Sequence, residues 1–227
     1  TPVRRAVCLN VHTANRRHDQ VIDFLQRETP DFIVLMEIDA TWWDALAPVR
    51  ADYAHERHIT RTDNFGIALL SKHPFSKIEK HNLCDRPVPT LVGRLRLDGE
   101  RLCVIATHPL PPAGGDYARA RNQQLRALAK LCADAEGRVL VLGDLNASPW
   151  STHFNRLLYE GNLRDSRRGF GIQPTWPAQH KFMYVPLDHA LVSDGIVVHH
   201  RRVGPAVGSD HLPVTIDFAI TPMNSEL

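Results

Sequence analysis

Short apolar runs recur along the whole chain and alternate with a few segments of helical periodicity. Runs of four to eight residues that are rich in Val, Ile and Leu are typical of β-strands. The run at 32–36 is wholly apolar, which indicates a central strand buried on both faces. The predicted strands are residues 6–9, 32–36, 66–70, 91–97, 102–106, 139–142, 187–192, 196–203 and 214–218.

Two segments carry apolar residues at helical spacing. In residues 18–28, Val21 and Leu25 share one face, and residues 117–133 show the same pattern more strongly. The dipeptide Asp98-Gly99 stands between two predicted strands and is a strong hairpin signal. Strands outnumber helices, and several neighbouring strands are joined by hairpins. The pattern therefore predicts an α/β fold with mixed sheets and helices packed on the outside.

Composition and charge narrow the class of protein. A chain of 227 residues with 43% apolar residues is long enough for one well-buried core, so we predict a single domain over residues 1–227. The formal net charge of +2 is too small to indicate a strong grip on nucleic acid by itself. The four cysteines form no Cys-x-x-Cys pair and are expected to be small buried hydrophobic residues.

The cellular location is left open by the sequence. No apolar stretch approaches the about 18–20 residues that span a bilayer, and no signal peptide is visible. The chain begins at Thr1-Pro2 and enters a strand-like run at once, which is typical of a soluble domain trimmed from a longer protein. A membrane anchor upstream of Thr1 is an open alternative.

Polar residues follow directly after several predicted strands. Asn10, Glu37, His108 and Asp144 each come at the end of an apolar run, where a rigid sheet can hold catalytic side chains. Glu37 follows five apolar residues, and its carboxylate oxygens suit hard cations such as Mg2+ or Mn2+. The alternative is an ordinary strand-end acid that faces solvent.

The segment Gly143-Asp144-Leu145-Asn146 places a carboxylate and a carboxamide two residues apart. In an extended segment these two side chains point to the same side, where they can orient a water and hold an oxyanion. Gly143 permits a tight bend or a close backbone approach. The alternative is an Asx-rich turn that leads into a helix near residues 148–150.

The segment Gly208-Ser209-Asp210-His211 is the sharpest local signal. It forms a predicted turn just before the last strand. In an adjacent pair of this kind, the acid can bind a cation while the imidazole acts on the substrate. Asp188 stands at the end of another predicted strand and can hold the His211 ring in one tautomer. The alternative is a solvated surface turn.

Other hydrolytic and metal-binding motifs are absent from the sequence. It contains no Gly-x-Ser-x-Gly nucleophile turn and no Gly-rich phosphate loop ending in Gly-Lys-Ser or Gly-Lys-Thr. The thirteen histidines lack the His-Glu-x-x-His or cysteine-rich spacing of zinc sites. The candidate chemistry therefore rests on the strand-end residues.

Taken in order, these elements resemble the endonuclease/exonuclease/phosphatase superfamily, which includes pancreatic-type deoxyribonuclease, abasic-site endonucleases, sphingomyelinases and inositol-polyphosphate 5-phosphatases. The resemblance covers nearly all of the chain, and it implies a DNase I-like, four-layer α/β/β/α sandwich with two mixed sheets. Six elements carry it: Asn10, Glu37, Thr107-His108-Pro109, Gly143-Asp144-Leu145-Asn146, Leu187-Asp188-His189 and Ser209-Asp210-His211.

The resemblance also implies how a metal and the attacking water are held. Glu37 resembles the principal ligand of a Mg2+ or Mn2+ ion, with Asn10 and Asp210 near the ion or its waters. Asp144 and Asn146 resemble the pair that positions the water and the phosphate.

The histidines have implied roles as well. His211 resembles the residue that contacts the phosphate or moves the proton, with Asp188 orienting its ring. His108 resembles the second histidine of a deoxyribonuclease-type site. Whether Asp144 or His211 accepts the proton is left open by the sequence.

Two further residues are candidates for substrate binding. Trp176 lies in a Pro-rich loop that resembles a loop bordering the site in relatives, and it can stack on a base. The alternative is a tryptophan packed under that loop. Arg168, in the pair Arg167-Arg168, can contact a phosphate, although paired surface arginines are usually solvated.

The predicted reaction is divalent-metal-dependent phosphoester hydrolysis, with a phosphodiester of DNA or RNA as the first candidate substrate. Alternatives are a small phosphoester, such as a phospholipid head group, an inositol phosphate or a nucleotide, and a catalytically silent binding module. No protein partner is indicated and a monomer is expected. Within the superfamily the chain resembles a bacterial branch of compact proteins, some of which carry membrane helices upstream.

Overall fold

A computed structural model describes residues 1–179 and 185–222, and two six-stranded sheets dominate it. The first sheet has the order β11-β12-β1-β2-β4-β3. Its strands are β1 (Arg4–Asn10), β2 (Phe32–Met36), β3 (His55–Ile59), β4 (Ile67–Ser71), β11 (Ile196–Val203) and β12 (Val214–Ile220).

The second sheet has the order β5-β6-β7-β8-β10-β9. It is built from one continuous stretch of the chain, whereas the first sheet combines the beginning and the end of the chain. Its strands are β5 (Phe75–Asn82), β6 (Pro89–Leu97), β7 (Glu100–Thr107), β8 (Arg138–Asp144), β9 (Leu163–Asp165) and β10 (Asp188–Ser193).

One parallel pair lies inside each sheet. β1 pairs with β2 and β7 pairs with β8 in parallel, while the other neighbours are antiparallel. A parallel pair needs a crossover connection, and a helix supplies it in both cases. The helices are α1 (His18–Glu28), α2 (Ala40–Ala45), α3 (Ala47–Arg50), α4 (Gly115–Ala133) and α5 (Thr152–Glu160).

The two sheets face each other, and helices cover both outer sides. Along β1, Ala6 and Cys8 pack in the core between the sheets, whereas Val7 and Leu9 pack in the cluster that includes α1 and α2. A third apolar cluster joins the outer face of the second sheet to α4 and α5. The predicted four-layer α/β/β/α sandwich is therefore confirmed. No helix in the described part of the chain is long and apolar enough to cross a membrane.

The edge strands β3 and β5 were missed by the hydrophobic pattern, whereas the edge strand β11 was predicted with the bounds that it has. β3 and β5 are the outermost strands at one end of each sheet, and both are only partly buried. Their sequences, HERHI and FSKIEKHN, mix charged and apolar residues because one side faces solvent. By contrast, α1 and β2 begin and end at the predicted residues, and the turn at Asp98 (φ 54°) and Gly99 (φ 89°) joins β6 to β7 as expected.

The cysteines behave largely as predicted. Cys8, Cys103 and Cys132 are buried, Cys84 is half-buried, and none of them forms a disulfide. Burial raises the pKa of the Cys103 thiol to about 11. Cys8, Cys103 and Cys132 are therefore packing residues of the core, whereas Cys84 is not.

Candidate active site

The carboxyl ends of both parallel strand pairs meet at one edge of the sandwich. Asn10 ends β1 and Asp144 ends β8, while Glu37 and His108 follow β2 and β7. Asn10 Nδ2 donates to Glu37 Oε1 at 2.8 Å and lies 3.3 Å from Asp144 Oδ2. One amide therefore links a carboxylate on the first sheet to a carboxylate on the second.

Asp144 lies at the centre of this cluster and is 1% exposed. Its Oδ1 accepts the Asn146 backbone N–H at 2.9 Å, and its Oδ2 lies 3.5 Å from His108 Nε2 and 3.6 Å from His211 Nε2. Burial alone would raise the pKa of the Asp144 carboxyl. The charge of His211 and the hydrogen bond and charge of His108 outweigh burial and hold that pKa well below its usual range. Asp144 is therefore a carboxylate at neutral pH.

Hydrogen bonds hold both the ring and the backbone of His211. Its Nδ1 lies 2.8 Å from Oδ2 of the fully buried Asp188, the first residue of β10. The His211 backbone N–H donates to Ser209 Oγ at 3.0 Å, and the Ser209 hydroxyl donates to the Asn10 carbonyl at 2.7 Å. Burial opposes protonation, but the charges of Asp188 and Asp144 outweigh it and raise the pKa of His211 to about 10. The ring is held with Nε2 directed at Asp144.

His108 provides a second imidazole on the other side of Asp144. It is buried, and its ring centroid lies 5.7 Å from that of Phe65. Burial opposes protonation of His108, yet the hydrogen bond and charge of Asp144 and the charge of Glu37 together raise its pKa. Two imidazole rings, each with a raised pKa, therefore flank one buried carboxylate.

The hydrogen bonds described for the Glu37 side chain come from neutral donors. Its Oε1 accepts the Asn10 amide at 2.8 Å, and its Oε2 lies 3.4 Å from the Thr13 backbone N–H. Within residues 1–179 and 185–222, no Lys, Arg or His nitrogen lies within ion-pair distance of this half-buried carboxylate. Oxygen donors with an uncompensated negative charge fit a hard divalent cation.

The backbone of Glu37 is also unusual. Its φ is +62°, and the bonds from Glu37 N–H to the Gly66 carbonyl (2.8 Å) and from Thr13 Oγ1 to the Glu37 carbonyl (2.7 Å) hold this conformation. A left-handed non-glycine residue costs free energy and persists where its surroundings fix it, often at functional sites. His12 (φ 59°) and Asn146 (φ 48°) share this conformation at the ends of two other strands.

The prediction that Asp144 and Asn146 lie on one extended segment is wrong. Because Asn146 is left-handed and its N–H bonds to Asp144 Oδ1, the segment forms the Asx turn that was the alternative interpretation. The Asn146 side chain instead donates to the Pro109 carbonyl at 3.0 Å, next to His108. Helix α5 begins farther along the chain, with Ser151 as its N-cap.

Gly143 shows the close backbone approach that its position suggested. A Cβ placed on it would lie 1.9 Å from the Thr107 carbonyl oxygen, and its φ is +156°. The last residues of β7 and β8 can therefore approach closely only with glycine here. This approach brings His108 and Asp144 to the same place.

Asp210 and Trp176 form the rim of the cluster. Trp176 is 37% exposed, and its Nε1 donates to Asp210 Oδ2 at 3.2 Å. The Trp176 ring centroid lies 6.4 Å from that of His211. In the part of the chain that the structure describes, no hydrogen bond joins Asp210 to Glu37. Asp210 therefore borders the site from the side of the Trp176 loop.

His12 belongs to the same rim and was missed by the sequence argument. Its Nδ1 lies 3.6 Å from Asp210 Oδ1, and its backbone N–H donates to Asn10 Oδ1 at 3.0 Å. His12 could have been recognised in the sequence as a second polar residue, two positions after Asn10 at the strand end. Arg168, by contrast, is exposed and lines a cleft with Arg164 and Phe170, and no described contact joins it to the cluster.

A second set of groups could also bind an ion. Ligand atoms of Asp144, Asp188 and His211 lie within 4.8 Å of one another. However, the His211 ring already lies between the two carboxylates and compensates their charge through the 2.8 Å contact to Asp188. Glu37, by contrast, has no ion-pair partner among the described residues.

Residues 8–211 match the model of the Endonuclease/Exonuclease/phosphatase family. The match spans most of the chain and includes each element of the cluster described above. The chain therefore belongs to this family. No curated protein shows a significant sequence match to the chain.

Solved structures of the same fold are similar over nearly the whole chain. An endonuclease/exonuclease/phosphatase from Bacteroides vulgatus has a TM-score of 0.82 and 16% identity, covering 97% of this chain and 100% of that chain. One from Beutenbergia cavernae has a TM-score of 0.78 and 20% identity, covering 97% and 72%. D. rerio TDP2 complexed with single strand DNA product has a TM-score of 0.79 and 16% identity, covering 96% and 100%. At these identities the similarity establishes the fold.

Proposed function

We propose that this protein is a divalent-metal-dependent phosphodiesterase that cleaves P–O bonds by attack of water. The observation that carries the proposal is the arrangement around Asp144 Oδ2, which lies 3.3 Å from the Asn10 amide, 3.5 Å from His108 Nε2 and 3.6 Å from His211 Nε2. An anionic acceptor between two imidazoles and beside a second, uncompensated carboxylate provides both a site for water and donors for a phosphate.

Glu37 would hold the metal, with Asn10 and Asp210 beside it. A bound Mg2+ or Mn2+ supplies Lewis-acid polarisation of the phosphoryl oxygen and stabilises the leaving oxygen. The fit rests on the Glu37 carboxylate, whose neighbours Asn10 and Thr13 are neutral donors.

The remaining roles fall to side chains that are already fixed in place. Asp144 accepts a hydrogen bond from the attacking water, because its Oδ2 faces the centre of the cluster. His108 and His211 donate from Nε2 to the phosphate oxygens, and Asp188 holds the His211 ring through Nδ1. Asn146 lies beside His108 through its bond to the Pro109 carbonyl and adds an amide donor.

The first experiment is a phosphodiesterase assay with EDTA treatment and metal add-back. Glu37→Gln removes the charge that would hold the cation, so we expect loss of metal-dependent activity and of Mn2+ binding measured by calorimetry. His211→Ala should lose about 100-fold or more in kcat, in line with the usual effect of removing a charge-stabilising or proton-transferring group. Full activity in either variant would overturn the assignment.

Matched controls separate these effects from general damage. Glu136 and His199 are exposed and lie outside the cluster, so Glu136→Gln and His199→Ala should keep wild-type activity and metal response. Equal losses in control and site variants would indicate a folding defect instead of chemistry.

A small phosphoester is the second candidate substrate, and the arginines favour it. Arg167 pairs with Asp165, Arg202 pairs with Glu28, and Arg201 is buried. These side chains are used within the protein and do not form a track for a nucleic-acid backbone. A nuclease that contacts several phosphates should lose binding steeply between about 50 and 200 mM salt, whereas a small-molecule phosphoesterase should not.

A further inference from the structure

Helix α4 presents two polar side chains to the loops of the site. Arg121 Nη1 donates to the Asn146 carbonyl, and Gln124 Oε1 accepts the Leu110 backbone N–H at 2.9 Å. Residues three positions apart lie on the same face of a helix. Both side chains therefore point from α4 toward the edge of the second sheet at which β7 and β8 end. Arg121 reaches the loop after β8, and Gln124 reaches the loop after β7.

These contacts close a ring of hydrogen bonds. The Asn146 side chain donates to the Pro109 carbonyl at 3.0 Å, which joins the two loops directly. The ring therefore runs from α4 through Arg121 to Asn146, on to Pro109 and Leu110, and back to α4 through Gln124. The His108 side chain and the Asn146 amide both belong to loops that this ring fixes.

Arg121 is unusual because it is half-buried and has no carboxylate partner among the residues that the structure describes. In the described residues its side-chain contacts are the Asn146 carbonyl and Asn122 Oδ1, both neutral, whereas Arg156 on α5 pairs with Glu160. Burial lowers the pKa of Arg121 because no anion offsets the desolvation of its charge. Burying such a cation against the left-handed Asn146 costs free energy. An arrangement that is retained at this cost indicates that the position of Asn146 matters.

Gln124 is a second polar side chain that helix α4 buries. It is 1% exposed, although an uncharged polar side chain in the middle of a helix usually faces solvent. Its neighbours on the buried face of α4 include Leu125 and Leu128. The buried amide is therefore explained by the bond that it makes to the Leu110 N–H.

We infer that Arg121 and Gln124 are positioning residues that act through Asn146 and His108 and set the distance between the two loops of the active site. The inference rests on the proposed function, since it assigns their purpose to phosphoester hydrolysis. Neither residue need touch the substrate, because their bonds end on backbone atoms of the site loops.

The activity test compares matched pairs on one helix. Arg121→Met and Gln124→Met should lower kcat by about 10- to 100-fold with little change in KM, because a misplaced group costs chemistry more than binding. Arg126→Met and Gln123→Met remove the same side chains from exposed positions of α4 and should leave kcat unchanged. Arg121→Lys keeps one donor for the carbonyl and should recover part of the loss.

A double variant decides whether Arg121 acts through Asn146. If it does, Arg121→Met should lower kcat by less than about 2-fold in an Asn146→Ala background, since interacting residues are not additive. Independent, multiplicative losses would show that Arg121 acts in another way and would overturn the inference.

Amide hydrogen exchange tests the ring without any substrate. In Arg121→Met, exchange should accelerate in residues 108–110 and 145–147, while the central strands stay protected. In Gln124→Met, the Leu110 amide should lose protection most. Unchanged exchange in these loops would refute the inference even if the protein hydrolyses phosphoesters. Accelerated exchange in a protein that hydrolyses none would refute the proposed function alone.

Discussion

His189 should make the protein less stable in mild acid. It follows Asp188 in β10 and is fully buried. Its Nε2 lies 2.9 Å from the Ala147 carbonyl, its ring centroid lies 4.5 Å from that of Phe154, and its Nδ1 has no partner among the described residues. Burial lowers its pKa to about 4, because a charged ring in this position would lose its hydration.

The magnitude follows from proton linkage. The unfolded chain binds a proton on this ring near pH 6.5, whereas the folded protein resists it until about pH 4. The stability from the neutral ring is therefore fully present above pH 6.5 and is lost as the pH falls toward 4. A shift of this size corresponds to about 3 kcal/mol of unfolding free energy between pH 7 and pH 4.

Urea unfolding at a series of pH values measures this effect. His189→Gln stays neutral and can still donate to the Ala147 carbonyl, so its unfolding free energy should fall by about 3 kcal/mol less than that of the wild type over this range. Comparing the two proteins cancels the contributions of other groups, including the opposite one from His211. Parallel curves for the two proteins would refute the reasoning.

Three further predictions concern the site and its frame. Asp188→Asn should lower the pKa of His211, measured by NMR titration, and lower kcat by about 100-fold or more, since Asp188 holds the ring; an unchanged pKa would contradict this. Gly143→Ala should lower the free energy of unfolding by about 2–4 kcal/mol in urea melts, because a Cβ would lie 1.9 Å from the Thr107 carbonyl; Gly115→Ala, whose Cβ would meet only Arg119 Nη1 at 3.5 Å, is the control, and equal losses would refute the steric argument. Mn2+ should raise the Tm of the wild type but not of Glu37→Gln, and equal increases would place the ion elsewhere.

The central part of the fold could be predicted because buried strands leave a clear signal. β2 is covered on both faces, so its sequence FIVLM is an unbroken apolar run with definite ends. Edge strands such as β5 contain alternating charged residues and carry no such signal. Two-sided burial therefore made the central strands visible in the sequence, although the partly exposed edge strand β11 was predicted as well.

Residues of the candidate site could be predicted where a polar side chain comes at the end of an apolar run. Asn10, Glu37 and Asp144 stand where an apolar run stops, which a sequence shows directly. The extended geometry predicted for Asp144 and Asn146 was wrong, and the Asx turn that was its alternative forms instead, with Asn146 at a left-handed φ of 48°. Arg121 was missed because its partner lies 25 residues away and the spacing within α4 does not distinguish it from exposed arginines.

The arrangement of the two sheets has a consequence for the order in which the protein is made. The sheet that begins with β1 is completed only by β11 and β12, and His211 stands just before β12. The second sheet, with α4 and α5, lies wholly between these ends of the chain. A growing chain therefore makes every strand of the second sheet, with Asp144 and His108, before it makes His211. The cluster is completed only after the segment that carries His211 has been made, so chains that end before it would lack one of the two imidazoles beside Asp144.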